Sequence, residues 1–170
     1  FLRAVVPGLK RVAVLKNPKS PPILIDAYLR ETRAAAQAFG IELVVVEATN
    51  ELELERAFEQ VVQAKAQAVY ILATLVFAET MQKIADLAMW HNLPTMHFHK
   101  RYPAIGVLMA YAPDYELLHR RSATYVDKIL KGAKPGELPI EQPQRFELAI
   151  NLATARELGL KVPQSVLLRA

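Results

Sequence analysis

Short β-rich runs alternate with helical stretches along most of this chain, and that alternation restricts the fold more than any other feature. RVAVLK at residues 11–16 is followed by the loop Asn17-Pro-Lys-Ser-Pro-Pro, then by apolar residues at helical spacing between 23 and 39 (Ile25, Leu29, Ala36). Gly40 stands where a left-handed helix cap is needed. Further strands are predicted over residues 41–46, 68–73, 95–99 and 105–110. Asn50 and Glu53 read as a capping box, opening a helix whose apolar face is Leu52, Ala57, Phe58, Val61 and Val62. A helix over 77–91 turns Met81, Ile84, Leu87 and Ala88 inward. The order β-α-β-α-β-α-β-β-α-β-α predicts an α/β fold: a Rossmann-like, doubly wound parallel sheet with helices on both faces.

Ligands of such sheets bind outside the carboxyl ends of the strands. That rule selects the loops at 17–22, 47–50, 74–77, 97–103 and 111–115. Asn17, Ser20, Thr74 and Tyr111 are the hydrogen-bond candidates there, Phe77 and Phe98 are candidate apolar walls, and His97 joins the lining. Tyr111 is read equally well as a packed aromatic with its hydroxyl at the rim. His97 and His99 alternate on a strand, so both rings face one way and could share an ion with His91. The preferred reading keeps them as polar residues facing the crevice, with Met96 and Phe98 facing the core, and no metal is expected.

Little else invites chemistry. No G-x-G-x-x-G follows the first strand, and no P-loop or G-x-S-x-G elbow appears. The chain has no cysteine, which removes disulfides and thiolate chemistry. Asp114 and Glu116 form a carboxylate pair, but acidic residues in a first helical turn usually serve the helix dipole. No enzymatic activity and no cofactor are therefore expected. The net charge of +4 is spread along the chain without an arginine-rich run, so nucleic acid is not an expected partner. No stretch reaches the roughly 20 apolar residues of a membrane-spanning helix.

The last third behaves differently. A long helical run ends in YVDKILKGAKPGELP, a proline-rich connection follows, and IEQPQRFELAI reads as a short returning strand near 146–150. A chain crossing between two lobes has this form. Residues 1–114 are expected to form one lobe, 115–144 a crossover helix and linker, and 145–170 the returning strand and terminal helix. The opening FLRAVVPG reads as the end of a helix, so the chain is expected to begin partway through something larger. Leu117, Leu118, Tyr125, Val126, Ile129 and Leu130 give the crossover helix a broad apolar stripe that needs cover. The expectation is that the segment from Tyr115 to Gly132 folds back on this lobe or pairs with a second chain as a homodimer.

PGLKRVAVLKNP, AAAQAFGIELVVVEA, IADLAMWHNLPTM, GVLMAYAPD and the run from YVDKILKGAKPGELP through ATARELGL occur here in one order. With VPQSVLLRA, they make the chain resemble the C-terminal half of the tryptophan/tyrosine-type ABC-transporter substrate-binding proteins, which have the type I periplasmic binding-protein fold. The resemblance covers nearly the whole chain. It implies a solute-binding component that captures a small organic, amino-acid-like or aromatic ligand between two lobes and delivers it to ABC permease subunits. It also implies a periplasmic or membrane-anchored lipoprotein, with most of the other lobe and any signal sequence outside this chain. A ligand-sensing domain of a signalling system with the same fold is the alternative. Two departures bear on the ligand. Where the family often has Gly-Gly-Leu-Met-Ser-Tyr-Gly-Pro, this chain has alanines at Ala110 and Ala112, and an Asp-Pro pair after the third strand is replaced by Ala73-Thr74-Leu75-Val76-Phe77. That carboxylate is lost, and the lining suggested by Thr74, Phe77, His97, Phe98 and Tyr111 favours a ligand with apolar or aromatic character and few charges.

Overall fold

β1 (Arg11–Lys16) is a central strand whose Val12, Ala13, Val14 and Leu15 are all buried. The computed structural model describes residues 1–72 and 75–170, the side chains at 75 and 76 excepted. β2 (Glu42–Glu47) and β3 (Ala68–Ile71) flank β1 in parallel. A strand apolar on both faces does not fix its own register. Here charges do so at both ends of the β1–β2 pair. Arg11 meets its register partner Glu42 at 2.6 Å, and Lys16 meets its partner Glu47 at 2.9 Å. Each pair is partly exposed and contributes only about 0–1 kcal/mol, so it aligns the strands more than it stabilises them.

β4 (Thr95–His97) and β5 (Met109–Pro113) extend the parallel sheet, and β6 (Phe146–Ile150) closes it antiparallel to β5. The strand order is β2-β1-β3-β4-β5-β6. The α/β fold with a mostly parallel sheet is as expected, with one antiparallel edge strand. One face carries α3 (Glu51–Gln63), α4 (Leu75–Trp90) and a 3-10 helix at Tyr102–Ile105. The other carries α1 (Leu2–Val5), α2 (Pro22–Ala38), and, after β6, two short helices.

α3 illustrates how the sequence builds these layers. Leu54, Ala57, Phe58 and Val61 are each 1% exposed, and burial of the three larger side chains contributes roughly 1.5–3 kcal/mol apiece. Leu52 and Val62, expected on the same face, point to solvent instead, since they fall beside the stripe and not within it. Asn50 Oδ1 accepts from Glu53 N at 3.0 Å, as a cap should. The Glu53 carboxylate reaches back one residue further than a capping box requires, accepting from both N and Oγ1 of Thr49 at 2.7 Å. After α2, Gly40 adopts φ +64° and Ile41 N donates to Ala36 O at 2.8 Å, a left-handed cap as expected.

The fifth strand lies four residues later than expected. Residues 102–105 form the 3-10 helix, and Gly106 then reverses the chain at φ +106°, with room for a Cβ only against Ala85 at 3.4 Å. Extended structure cannot begin until that turn is complete. The apolar run through 105–112 hid the boundary because buried turn and buried strand have the same composition there.

α5 (Tyr115–Leu130) follows β5, capped by Asp114, whose Oδ1 accepts from Leu117 N at 2.9 Å. None of its residues is buried. It does not fold back on the sheet. The linker runs alongside it instead: Tyr125 Oη donates to Pro139 O at 2.6 Å, and Arg121 meets Glu141 at 3.1 Å. Helix and linker enclose an open groove of about 560 Å³, with Leu118, Val126, Ile129, Leu138 and Ile140 in its walls. No helix of the described residues is long and apolar enough to cross a membrane.

The chain's return is anchored by Asn151, which caps α6 (Leu152–Glu157); α7 (Gln164–Leu167) follows. Its N–H donates to Leu108 O at 2.8 Å, its Nδ2 to Pro103 O at 2.6 Å, and its Oδ1 accepts from Thr154 N at 3.0 Å. Asn151→Ala removes both side-chain bonds, leaving Thr154 N without its cap and Pro103 O with Gly106 N alone. It should lower unfolding free energy by about 1–3 kcal/mol in urea titrations, more than the exposed cap variant Asn50→Ala.

Candidate functional site

The topology places a crevice where the strand order reverses. From β1 the chain steps outward to β2 and then crosses to β3 on the other side, so the switch point lies above the carboxyl ends of β1 and β3. Asn17 sits there, directly after β1, and is 0% exposed. Its Oδ1 accepts from Lys19 N at 2.8 Å, and its carbonyl accepts from Ser20 N at 3.1 Å, closing the Pro18–Lys19 turn. Among the described residues its buried Nδ2 has no hydrogen-bond partner. An orphaned buried donor costs about 1–3 kcal/mol. Ser20 is half-buried in the same turn, so these two candidates do share one loop. Thr74 lies outside the described residues.

The other candidates are distributed differently. Phe77 is 1% exposed and packs in the core between the sheet and α3–α4 with Phe58 and Met81, so its ring serves the lobe interior. Tyr111 lies inside β5, where it stacks on Phe146 at 5.4 Å and leans on Phe1 at 5.0 Å. His97 is buried, 2% exposed, on the face that carries the 3-10 helix; its ring meets Tyr102 edge-on at 4.5 Å. Met96 takes the opposite face. The expectation that the histidines face the crevice is therefore corrected for His97, while Met96 does face the core as expected and Phe98 is only half-buried. Both faces of β4 are covered by helices, so alternation along it separates two interiors and not interior from crevice.

The loop after β4 brings together a ring cluster that sequence reasoning only half found. Phe98 is half-buried beside His97, with ring centres 4.6 Å apart. His99 stacks on Tyr115, the first residue of α5, at 5.3 Å and 15°. A ladder of turns holds the loop: His99 N donates to His97 Nδ1 at 3.0 Å, and Arg101 N to His99 Nδ1 at 3.3 Å. Both Nδ1 atoms thus act as acceptors. Among the described residues no group of three metal-ligating side chains converges. Tyr102, Lys100 and Tyr115 were missed as members of this cluster. The signal available was the density of rings and cations in HFHKRY at a strand's carboxyl end.

Burial pushes the His97 imidazole down to about 3, reinforced by the positive fields of His99 and Arg101. Burial, then Arg101 and Lys100, lowers His99 as well. Tyr115 is raised, first by burial and then by Tyr28. A His97 that titrates near 6.5 when unfolded and near 3 when folded takes up its proton in the unfolded state first. Its contribution is fully present above the unfolded value and declines as pH falls from 6.5 towards 3, with a slope of up to about 1.4 kcal/mol per pH unit. His97→Gln should therefore flatten the acid limb: the melting-temperature difference between pH 7 and pH 4.5 should be smaller in the variant than in the native protein.

The family model described as ABC transporter substrate binding protein matches residues 1–170. Among solved structures, a conserved domain protein from Vibrio cholerae is 25% identical with a TM-score of 0.88, covering 99% of this chain and 56% of that one. An ABC domain in complex with L-Trp from Streptococcus pneumonia is 21% identical, with a TM-score of 0.87 and the same coverage of 99% and 56%. CD0873 of Clostridium difficile, a substrate binding protein with adhesive properties in its ligand-free, open structure, is 20% identical with a TM-score of 0.74, over 96% of this chain and 54% of that one. The chain thus spans little more than half the length of these proteins. No curated protein matches it significantly. Matched by the family model over its whole length, the chain belongs to the ABC transporter substrate binding proteins.

Proposed function

We propose that this chain is one lobe of the solute-binding component of an ABC importer, acting outside the cytoplasm. It holds a small amino-acid-like or aromatic ligand in the cleft between two lobes and presents the closed form to a permease. The single observation that carries the site is the buried Asn17 Nδ2 at the switch point of the sheet, which has no hydrogen-bond partner among the described residues. An orphaned N–H₂ group in that position is a donor waiting for a ligand carbonyl or carboxylate oxygen. Ser20 stands with it as a polar contact, and Phe98 as the ring-bearing wall. The L-Trp in the similar Streptococcus pneumonia structure supports an aromatic amino acid as the first probe.

Calorimetry on the complete two-lobed protein should show saturable binding of at least one of L-tryptophan, L-tyrosine, L-phenylalanine, phenylacetate and indole. Asn17→Ala should weaken it roughly ten- to a hundredfold, the loss expected of one charge-assisted hydrogen bond. Binding that ignores Asn17 would remove it from the site, and absence of any saturable binding would count against the aromatic class.

The groove along α5 belongs to the same reading, as cover for the second lobe. In the isolated 170-residue segment a second copy takes that place. The segment should therefore scatter light as a dimer, and Val126→Glu with Ile129→Glu should return it to a monomer. A native segment that is already monomeric would contradict this assignment.

A further inference from the structure

The chain leaves this lobe at Asp114–Tyr115 and returns at Arg145–Phe146, side by side. Pro113 pairs with Phe146 across the β5–β6 ladder, and Asp114 N donates to Arg145 O at 3.0 Å. One side chain grips both passages. Lys100, in the loop after β4, places Nζ 3.2 Å from Glu116 Oε1 in the first turn of α5, and 2.9 Å from Glu147 Oε2 in β6. Lys100 itself is held from behind. The His97–His99–Arg101 ladder fixes its loop, and the neighbouring His99 ring lies flat on Tyr115. Glu147 is more sheltered than Glu116, at 27% against 70% exposed, so water and salt screen the ion pair to the returning strand less than the one to the outgoing helix.

We propose that Lys100 is a positioning residue for lobe closure, bridging the two crossovers at their roots and restricting the orientations that the second lobe can take. The inference rests on the two-lobed reading above. A lysine that touches no ligand can still set affinity, because apparent affinity scales with the fraction of molecules in the binding-competent arrangement. Such a residue changes the affinity for every ligand by the same factor. A residue that contacts ligand changes selectivity instead.

The test uses the full two-lobed protein with one spin label at Glu59→Cys on the exposed side of α3 and one in the second lobe. Lys100→Met should broaden the ligand-free interlobe distance distribution relative to the native protein, and Lys100→Arg should restore it. Glu147→Gln should reproduce the Lys100→Met effect, with the double variant no worse than either single one. For whichever of L-tryptophan, L-tyrosine and L-phenylalanine binds, Lys100→Met should weaken binding by a common factor of roughly two- to tenfold, with an unchanged melting temperature. Glu116→Gln breaks the more exposed half of the bridge without disturbing a buried group, and serves if Lys100→Met does not fold. An unaltered distance distribution overturns the proposal, as does an affinity loss confined to one ligand. Failure of the native protein to bind any probe speaks against the solute-binding reading alone, since the ligand-free distances still decide the role of Lys100.

Discussion

Everything in this lobe follows from covering a parallel sheet on both faces. β1 and β3 are buried above and below, so their backbone polar groups are satisfied by neighbouring strands and their side chains by helices. That leaves the carboxyl edge as the place where strand ends, turns and polar side chains meet. Asn17 appears there because β1 stops at Lys16, and a Pro-Lys turn needs an acceptor that an asparagine supplies locally. The turn uses one end of the Asn17 amide. The other end is buried and has no partner among the described residues, so the same arrangement that ends the strand leaves a donor at the switch point.

The antiparallel β5–β6 pair adds a second constraint. A parallel sheet of β-α-β units sends each connection over a face, which would separate the outgoing and returning chain. Pairing β6 backwards on β5 puts both passages at one corner, tied by the Asp114–Arg145 backbone bond. Lys100 and His99 reach that corner from the adjacent β4 loop. The roots of the outgoing and returning segments and the carboxyl end of β4 are thus parts of one surface.

The sequence makes the layers legible wherever one period dominates. β1, α3 and the Gly40 cap all declare themselves by apolar spacing or by a residue whose conformation is constrained. It fails where burial has no period. Residues 105–112 are apolar throughout, so nothing in them distinguishes the turn at Gly106 from the strand that starts at Met109. The candidate site is legible in part for the same reason. Asn17 and Ser20 follow from the loop's composition and position. His97 does not, because a strand covered on both faces has no outward side for a polar residue to mark. Lys100 escaped notice because its partners, Glu116 and Glu147, become its neighbours only through the antiparallel return of β6.

The exposed crossover unit makes sense only in these terms. A 16-residue helix with no buried side chain is marginal in water on its own. Here it is capped by Asp114, closed at its far end by the Lys131–Asp127 pair at 2.9 Å, and braced along its side by the Tyr125–Pro139 bond. Those supports give α5 a shape of its own while leaving Val126, Ile129 and Leu130 of its apolar stripe exposed. In the two-lobed reading, the brace carries the stripe as a rigid body while its root is held at the corner of the sheet. Any difference in how a ligand favours one lobe orientation over another then acts on a few residues around Asp114 and Arg145, and a modest differential affinity is enough to shift the balance between orientations.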